Sequence, residues 1–268
     1  MEKKVWFITG ASSGFGYEFA KAALERGDFV AATVRKPEAL TELENKYPAG
    51  LLPLLLDVTD RKAVFEAVKA AKDKFGRLDI VVSNAGYGHF GPVEEISEEV
   101  QRAQMETNFF GSFHVIQAVL PILREQGAGH ILQVTSNGGV AAFPFVGAYN
   151  ASKWAVEGFV EALSYEVAPL GIKITLVEPG GFATGFATAV SVTESKLEPY
   201  ATMLKGFLDY ASNAKYDDPA EAAQRILEVV DSENPPLRIL LGSGTTAQLT
   251  EIYNQRLKVW SEWDWDKR

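Results

Sequence analysis

Tyr149 and Lys153 are four residues apart, in a segment from Tyr149 to Ala168 whose apolar residues recur at helical spacing. On a helix the two side chains lie on the same face, one turn apart. Because an ammonium favours a neighbouring phenolate, we expect Lys153 to lower the pKa of Tyr149 and to let it exchange a proton with a substrate oxygen. Ser136 follows a predicted strand, where its hydroxyl could hold that oxygen. A tyrosine packed beneath a solvated lysine is the alternative.

A glycine-rich segment follows the first predicted strand, Val5–Thr9. It contains Gly10, Gly14 and Gly16 and is followed by apolar residues at helical spacing, so the glycines lie between a strand and a helix. Glycine allows a tight turn and a close backbone approach, and a helix N-terminus presents free N–H groups to a phosphate. The segment therefore favours dinucleotide binding, with a plain glycine turn as the alternative.

The second predicted strand, Phe29–Val34, ends at Arg35. In dinucleotide folds an acidic residue here binds the ribose 2′-hydroxyl, and a basic one accommodates a 2′-phosphate. Arg35 therefore favours NADP, unless it is only a solvated surface residue. The third strand, Leu51–Leu56, is followed by Asp57, which is placed to meet the cofactor base.

The fourth predicted strand, Leu78–Ser83, is followed by the segment Asn84-Ala-Gly. A turn of small residues at the carboxyl end of a strand lets a ligand lie against the backbone. The sixth predicted strand, Ile172–Val177, is followed by Glu178 and a Pro-Gly-Gly segment.

One long helix is predicted from Ser97 to Glu125, with Asn108 near its middle and close to Gly111. Glycine costs about 1 kcal/mol relative to alanine in a helix. This choice of residues suggests a kink or a close approach, and a buried asparagine with satisfied hydrogen bonds is the alternative.

Alternating strands and helices with short connections predict an α/β fold. We expect a doubly wound, Rossmann-type parallel sheet of about seven strands with helices on both faces. Residues 1–268 are expected to form a single domain, with a substrate lid at 184–217, where periodicity weakens, and a C-terminal tail at 245–268.

Composition excludes several classes of partner. The chain has no cysteine, and its three histidines lack metal-ligand spacing, so we expect no metal site. A net charge of −9 argues against nucleic acid and anionic membranes. No apolar run approaches the ~20 residues of a membrane helix, and no signal peptide is recognised. The cytoplasm is the expected location.

Taken together, these motifs resemble those of the short-chain dehydrogenase/reductase family, of the short tyrosine-dependent type, over essentially the whole chain. The motifs are Thr9-Gly-x-x-x-Gly14-x-Gly16, Asp57-Val58, Asn84-Ala-Gly86, Asn108, Ser136, Tyr149-x-x-x-Lys153 and Pro179-Gly180 with Thr184. The resemblance implies a catalytic set of Asn108, Ser136, Tyr149 and Lys153. It also implies a cofactor site formed by Gly10, Ser12, Ser13, Gly14, Phe15, Gly16, Arg35, Asp57, Val58, Asn84, Ala85, Gly86, Tyr149, Lys153, Pro179, Gly180, Phe182 and Thr184.

Two positions depart from the family pattern. Ser83 stands where an asparagine is frequent, which should matter little. Ser13 stands where many NADP-dependent members carry a basic residue. NADP therefore depends on Arg35 alone, and NAD stays open.

The reaction implied by the resemblance is hydride transfer between the nicotinamide and a carbonyl carbon. Tyr149 would give its proton to the carbonyl oxygen, Ser136 would orient that oxygen, and Asn108 would hold a water that links Lys153 to solvent. A homodimer or homotetramer is implied as well.

Aromatic residues flank the expected substrate site. If Phe143, Phe145 and Phe186 line it, a hydrophobic ketone, aldehyde or alcohol is favoured over a sugar. Core packing explains these aromatics equally well.

Other functions remain to be weighed. A sugar-nucleotide epimerase would need a sizeable C-terminal substrate domain, and an enoyl reductase would space its tyrosine and lysine more widely. A protein that binds NADP as a sensor or scaffold without turnover is the non-enzyme alternative. A sensor has no need to keep all four residues of the set.

Overall fold

Nine strands occur within residues 3–186 and 190–267, the part of the chain that the computed structural model describes. They are β1 (Val5–Ile8), β2 (Phe29–Val34), β3 (Leu51–Leu55), β4 (Ile80–Ser83), β5 (His89–Phe90), β6 (Gly129–Val134), β7 (Ile172–Pro179), β8 (Ser191–Val192) and β9 (Arg238–Leu241). All of them except β5 and β8 form one parallel sheet in the order β3-β2-β1-β4-β6-β7-β9. The predicted seven-stranded parallel sheet is confirmed.

Helices connect these strands. They are α1 (Gly14–Glu25), α2 (Thr41–Lys46), α3 (Arg61–Phe75), α4 (Glu98–Met105), α5 (Gly111–Gln126), α6 (Gly147–Val167), α7 (Glu198–Asn213), α8 (Pro219–Asp231) and α9 (Thr245–Glu262). None of the helices that the structure describes combines the length and the apolar character needed to cross a membrane.

Both faces of the sheet are buried, as a doubly wound fold requires. Alternate residues of β1 point to opposite faces. Trp6 belongs to one apolar cluster, which includes Phe19 of α1 and Ile226 of α8. Phe7 belongs to the other, which includes Val115 of α5 and Val160 of α6.

The strand order reverses at β1. The chain first runs outward through β2 and β3, then returns to place β4 on the other side of β1. At such a switch point the loops diverge and leave a crevice at the carboxyl ends of the strands, where α/β proteins bind their ligands.

The predicted helix from Ser97 to Glu125 is not regular. A π-helical segment, Glu106–Phe110, separates α4 from α5 and contains Asn108. A π-helical turn inserts an extra residue and redirects the side chains around it. The expected kink is thus a local widening of the helix.

The predicted lid at 184–217 contains β8 and α7. Its strand pairs in parallel with β5, so the lid is joined to the turn that follows β4. Residues 187–189 of this segment lie outside the described residues.

Candidate active site

The glycine loop, which we define as residues 9–16, connects β1 to α1 at the switch point. Gly10 and Gly14 have φ values of +67° and +57°, which favour glycine. Gly16 is required for space, because a Cβ there would lie 2.3 Å from the carbonyl oxygen of Gly10. Ser13 is the N-cap of α1 and makes no side-chain capping hydrogen bond. The loop thus forms a cradle beside an uncapped helix N-terminus, which fits a nucleotide pyrophosphate.

Asn84 ties the turn after β4 to this loop. Its Nδ2 donates to the carbonyl oxygens of Thr9, at 2.9 Å, and Gly10, at 3.1 Å. The hydroxyl oxygen of Thr9 accepts from the backbone N–H groups of Asn84 and Ala85, at 2.9 Å and 3.1 Å. The side-chain donors of Asn84 therefore hold the loop in shape, and its implied contact with the cofactor stays a prediction.

Arg35 and Asp57 lie together beyond the ends of β2 and β3. Asp57 accepts hydrogen bonds from the backbone N–H and the hydroxyl of Thr59, and these bonds lower its pKa. Partial burial opposes this shift, and the charge of Arg35 adds to it. Arg35 is exposed and free to meet an anionic ligand. Val58 is buried instead, and a Cβ on Gly111 would lie 2.6 Å from its Cγ2. Only the backbone of Val58 is thus left for an adenine.

The segment after β7 packs on the glycine loop. A Cβ on Gly14 would lie 3.0 Å from the Cβ of Thr184, and the ring of Phe182 meets that of Phe15 edge-on at 5.0 Å. Gly180 donates its N–H to the Leu241 carbonyl oxygen at 2.8 Å. The residues expected to bind the nucleotide come from both halves of the chain, and they meet at the same edge of the sheet.

Asn108 is fully buried in the π-helical segment. Its Nδ2 donates to the carbonyl oxygen of Tyr87 at 3.0 Å and to the hydroxyl of Ser152 at 2.9 Å, while its Oδ1 accepts from the N–H of Tyr87 at 3.0 Å. These bonds engage the side chain with protein groups, so it orders the turn after β4 against α6. The implied role of holding a water that links Lys153 to solvent stays a prediction.

Ser136 and Tyr149 come together over Gly138, and Lys153 lies beside the Tyr149 ring. A Cβ on Gly138 would lie 3.3 Å from Cε1 of Tyr149 and 3.4 Å from the Ser136 hydroxyl oxygen. That oxygen accepts from the N–H of Gly138 at 3.0 Å. Lys153 donates to the carbonyl oxygen of Val134 at 3.1 Å, with its Nζ 5.8 Å from the centre of the Tyr149 ring. A residue that follows β6 and two residues of α6 thus form the predicted cluster.

Burial controls the protonation of this cluster. It raises the pKa of Tyr149 to about 12, with the Ser136 hydroxyl acting in the opposite direction. It lowers the pKa of Lys153 to about 8, opposed by the charge of Glu157. The expectation that the pKa of Tyr149 is lowered is wrong for this structure, because removing the phenolate from water outweighs any attraction to the lysine.

Aromatic rings cover the cluster on the lid side. Phe186 lies 5.4 Å from the ring of Tyr149, and a Cβ on Gly88 would lie 2.7 Å from its Cζ. Phe145 contacts Phe207 of α7, which also contacts Phe90. Phe143 is half-buried, and its backbone N–H donates to the side-chain oxygen of Asn150. Phe90 and Phe207 were not predicted, since no local motif marks them.

His89 of β5 is hydrogen-bonded to the lid. Its two ring nitrogens lie 2.6 Å from the hydroxyl of Ser191 and 2.7 Å from that of Thr193. Burial lowers the pKa of His89. Glu95 adds a second attachment, accepting from the hydroxyl of Ser195 at 2.5 Å. Sequence reasoning missed this attachment because the partners are about a hundred residues apart.

Helix α9 supports the segment that carries Ser136. Tyr253 and Arg256 both donate to the carbonyl oxygen of Val140, at 3.2 Å and 2.9 Å. Arg256 also lies over the rings of Trp154 and Tyr253. The C-terminal tail thus takes part in positioning the cluster.

Known proteins resemble this chain over most of its length. A family model described as short chain dehydrogenase matches residues 4–195. Oxidoreductase BOA17 of Botryotinia fuckeliana is 46% identical over 266 residues, covering 97% of each chain. A 3-ketodihydrosphingosine reductase of Bacteroides thetaiotaomicron is 37% identical over 264 residues, covering 97% of this chain and 94% of that one.

Solved structures agree with this fold and hold both nicotinamide cofactors. A short-chain dehydrogenase from Streptomyces avermitilis has a TM-score of 0.92 at 37% identity, covering 98% of this chain and 97% of its own. A Burkholderia phymatum protein in complex with NAD has a TM-score of 0.82 at 26% sequence identity, covering 93% of this chain and 92% of its own. A Burkholderia cenocepacia protein in complex with NADP has 0.78 at 26%, covering 97% of each. A nicotinamide cofactor is therefore supported.

Proposed function

This chain belongs to the short-chain dehydrogenase/reductase family, NAD(P)-dependent oxidoreductases that act on CH–OH and C=O groups, and on that premise we propose that it is an NADP-dependent reductase of hydrophobic ketones or aldehydes. The observation that carries the proposal is the meeting of Ser136, Tyr149 and Lys153 beside the glycine-lined edge of the sheet.

The chain's own residues fit the nucleotide. The backbone of Gly10, Ser12, Gly14 and Gly16 would hold the pyrophosphate, and Lys153 would hold the nicotinamide ribose. Arg35 would bind the 2′-phosphate, and Thr184 would bind the carboxamide. Asp57 and the backbone of Val58 would contact the adenine. The walls of the cofactor site would be formed by Ser13, Phe15, Ala85, Gly86, Pro179, Gly180 and Phe182. The bound nicotinamide supplies the hydride.

Tyr149 acts as the proton donor. With a pKa of about 12 it carries its proton at neutral pH and can give it to a carbonyl oxygen held by the Ser136 hydroxyl. The phenolate that remains is stabilised by the Lys153 ammonium. Proton donation by Tyr149 and hydride arrival at the carbonyl carbon together complete the reduction.

The preference for NADP depends on Arg35, which is exposed at the end of β2 beside Asp57. A guanidinium binds phosphate through charge-assisted hydrogen bonds. Asp57 is already held by Thr59, so it leaves Arg35 available.

The preference for an apolar substrate depends on the rings around Tyr149. Phe186 lies 5.4 Å from the Tyr149 ring, and Phe207 of the lid helix contacts both Phe145 and Phe90. Rings at such a site favour substrates with apolar surface. One relative is named for a ketone, 3-ketodihydrosphingosine, which agrees with this class.

Oxidation of NADPH and NADH by the purified protein, with a panel of aliphatic, aryl, steroid-like and quinone-type carbonyls, tests the proposal. We expect turnover with NADPH on the apolar members. Turnover only with small polar carbonyls contradicts the substrate class, and a preference for NADH contradicts the cofactor. If neither cofactor is consumed but NADPH raises the melting temperature, either the substrate lies outside the panel or the protein is a nucleotide-binding sensor or scaffold.

We also propose a homodimer or homotetramer located in the cytoplasm. The π-helical segment and α6 expose apolar side chains, with Phe110, Trp154 and Tyr165 at 41%, 44% and 71% exposure. Such a surface favours contact with a second copy. Light scattering after size-exclusion chromatography gives the state, and a monomer at assay concentrations contradicts it.

A further inference from the structure

Glu157 lies one helical turn after Lys153 on the same face of α6, and both side chains are buried, at 4% exposure each. Lys153 donates to the carbonyl oxygen of Val134, but that neutral group does not balance its charge. The charges adjoining it are therefore decisive for its protonation.

Gly139 brings the two side chains under the Ser136 segment. A Cβ at this position would lie 2.9 Å from Cγ of Glu157 and 3.4 Å from Cβ of Lys153. Glycine thus lets the backbone rest directly on the helix beside Lys153 and Glu157. Opposite charges interact more strongly when they are buried than when they are exposed.

Arg238 of β9 holds Glu157 from the other side. Its Nη1 donates to Glu157 and, at 2.7 Å, to Glu178 of β7, and its Nη2 donates to Glu161 at 2.8 Å. Arg238 is 32% exposed and faces a groove of about 1000 Å³ between α6, β9 and α9. Arg225 of α8 lines the same groove and is paired with Glu228.

We propose that Glu157 is a positioning residue that keeps Lys153 as an ammonium, and that Arg238 in turn keeps Glu157 ionised. The proposal rests on the proposed role of Lys153 in reduction. It adds an electrostatic chain that runs from the active site through α6 to the groove at the edge of the sheet.

The pKa directions agree with the geometry. Burial lowers the pKa of Lys153 to about 8, and the charge of Glu157 opposes that effect. Burial raises the pKa of Glu157, while Thr135, Arg238 and Lys153 oppose it. Glu178 has its pKa raised to about 7, through burial and then the neighbouring charge of Glu157, so it gives up its negative charge more readily.

The experiment is a ¹³C NMR titration of lysine side chains in the nucleotide-free protein, in which the Lys153 signal is the one absent from Lys153→Arg. We expect a midpoint near 8 in the wild type. In Glu157→Gln we expect it lower by about one pH unit or more. Glu157→Asp retains the charge and should restore most of the shift.

Glu161→Gln is the matched control. Glu161 also binds Arg238 and lies on the same helix, but it is one turn further from Lys153. We expect an unchanged Lys153 midpoint in this variant, although it removes a bond to the same arginine. A midpoint that moves equally in both variants contradicts a specific role for Glu157, as does one that moves in neither.

If Glu157→Gln alone does not fold, the double variant Glu157→Gln, Arg238→Gln removes the carboxylate and its guanidinium partner together. Glu178, which also loses Arg238, can take up a proton because its pKa is already raised to about 7. Its Lys153 midpoint is also expected below the wild-type value, and an unchanged one overturns the proposal.

Activity provides a separate readout. If carbonyls are reduced, the alkaline limb of the kcat profile of Glu157→Gln should shift to lower pH with the NMR midpoint. A shifted midpoint in a protein that reduces no carbonyl contradicts the proposed function and leaves the role of Glu157 standing.

Discussion

The nucleotide edge and the lid are built in different ways. The nucleotide edge consists of residues 9–16 and 84–86, where the Asn84 side chain donates to two backbone carbonyl oxygens and Gly16 has no room for a Cβ. The predicted lid, described over residues 184–186 and 190–217, is held by the short pairing of β8 with β5 and by side chains such as His89 and Phe207. A close backbone approach tolerates no added atom, whereas side-chain contacts can be exchanged one by one. The first region therefore suits an invariant cofactor, and the second suits a variable substrate.

The largest expected effect separates chemistry from nucleotide binding. Tyr149→Phe removes only the ionisable oxygen, so we expect kcat to fall by about 10³-fold, within the usual range for a general acid. Nucleotide affinity, measured by calorimetry, should stay at the wild-type level because the glycine loop is untouched. Turnover near the wild-type rate would mean that the proton comes from another group.

A pair of glycine substitutions compares the two regions directly. Gly16→Ala places a Cβ 2.3 Å from the Gly10 carbonyl oxygen, and we expect it to lower the free energy of unfolding by about 1–3 kcal/mol. In Gly206→Ala, on the exposed lid helix α7, the new Cβ meets nothing within 4 Å. It should raise that free energy by about 0.5–1 kcal/mol.

Urea unfolding measures both variants. Equal effects of the same sign would remove the distinction between a sterically closed edge and an open lid helix. A loss of nucleotide affinity in Gly16→Ala alone would strengthen the distinction further.

Arg35→Asp tests whether the edge also selects the cofactor. Loss of a charge-assisted contact of about 1.5–3 kcal/mol should reduce the NADPH preference by roughly 10–100-fold. The measurement is kcat/KM with each nucleotide. Lys36→Asp makes the same charge change at the next exposed residue, and we expect a smaller effect. Equal losses of NADPH preference in the two variants would indicate a general electrostatic effect rather than a direct contact between Arg35 and the 2′-phosphate.

The smallest effect concerns the attachment of the lid. Because burial lowers the pKa of His89, the attached lid binds fewer protons than a detached one. Its stability is therefore greatest above the pH at which a free imidazole titrates, about 6.5, and decreases as the pH falls.

Hydrogen exchange, corrected for intrinsic rates, should show residues 190–196 opening more readily at about pH 5.5 than at about pH 7.5, with no matching change in residues 9–16. His89→Gln should remove the pH dependence. Equal acceleration in both segments would point to global destabilisation.

The sequence predicted the parts of the molecule that follow from local rules. The parallel sheet, the glycine loop and the Tyr149–Lys153 pair depend on periodicity and on spacing along one strand or helix. The π-helical segment was not predicted in detail, because one inserted residue leaves the apolar pattern almost unchanged. Contacts of Phe207 and His89 join distant parts of the chain. The rise in the pKa of Tyr149 reflects burial, which no local pattern shows.

Tyr253 and Arg256 both donate hydrogen bonds to the carbonyl oxygen of Val140, and this has a practical consequence for the purified protein. A molecule clipped before residue 253 would keep its whole glycine loop and still bind nucleotide, while the segment that carries Ser136 would lose its clamp. In a partly degraded preparation, nucleotide titration would then overestimate the concentration of catalytically active protein. Intact mass, measured before each assay, is the appropriate correction to the active fraction.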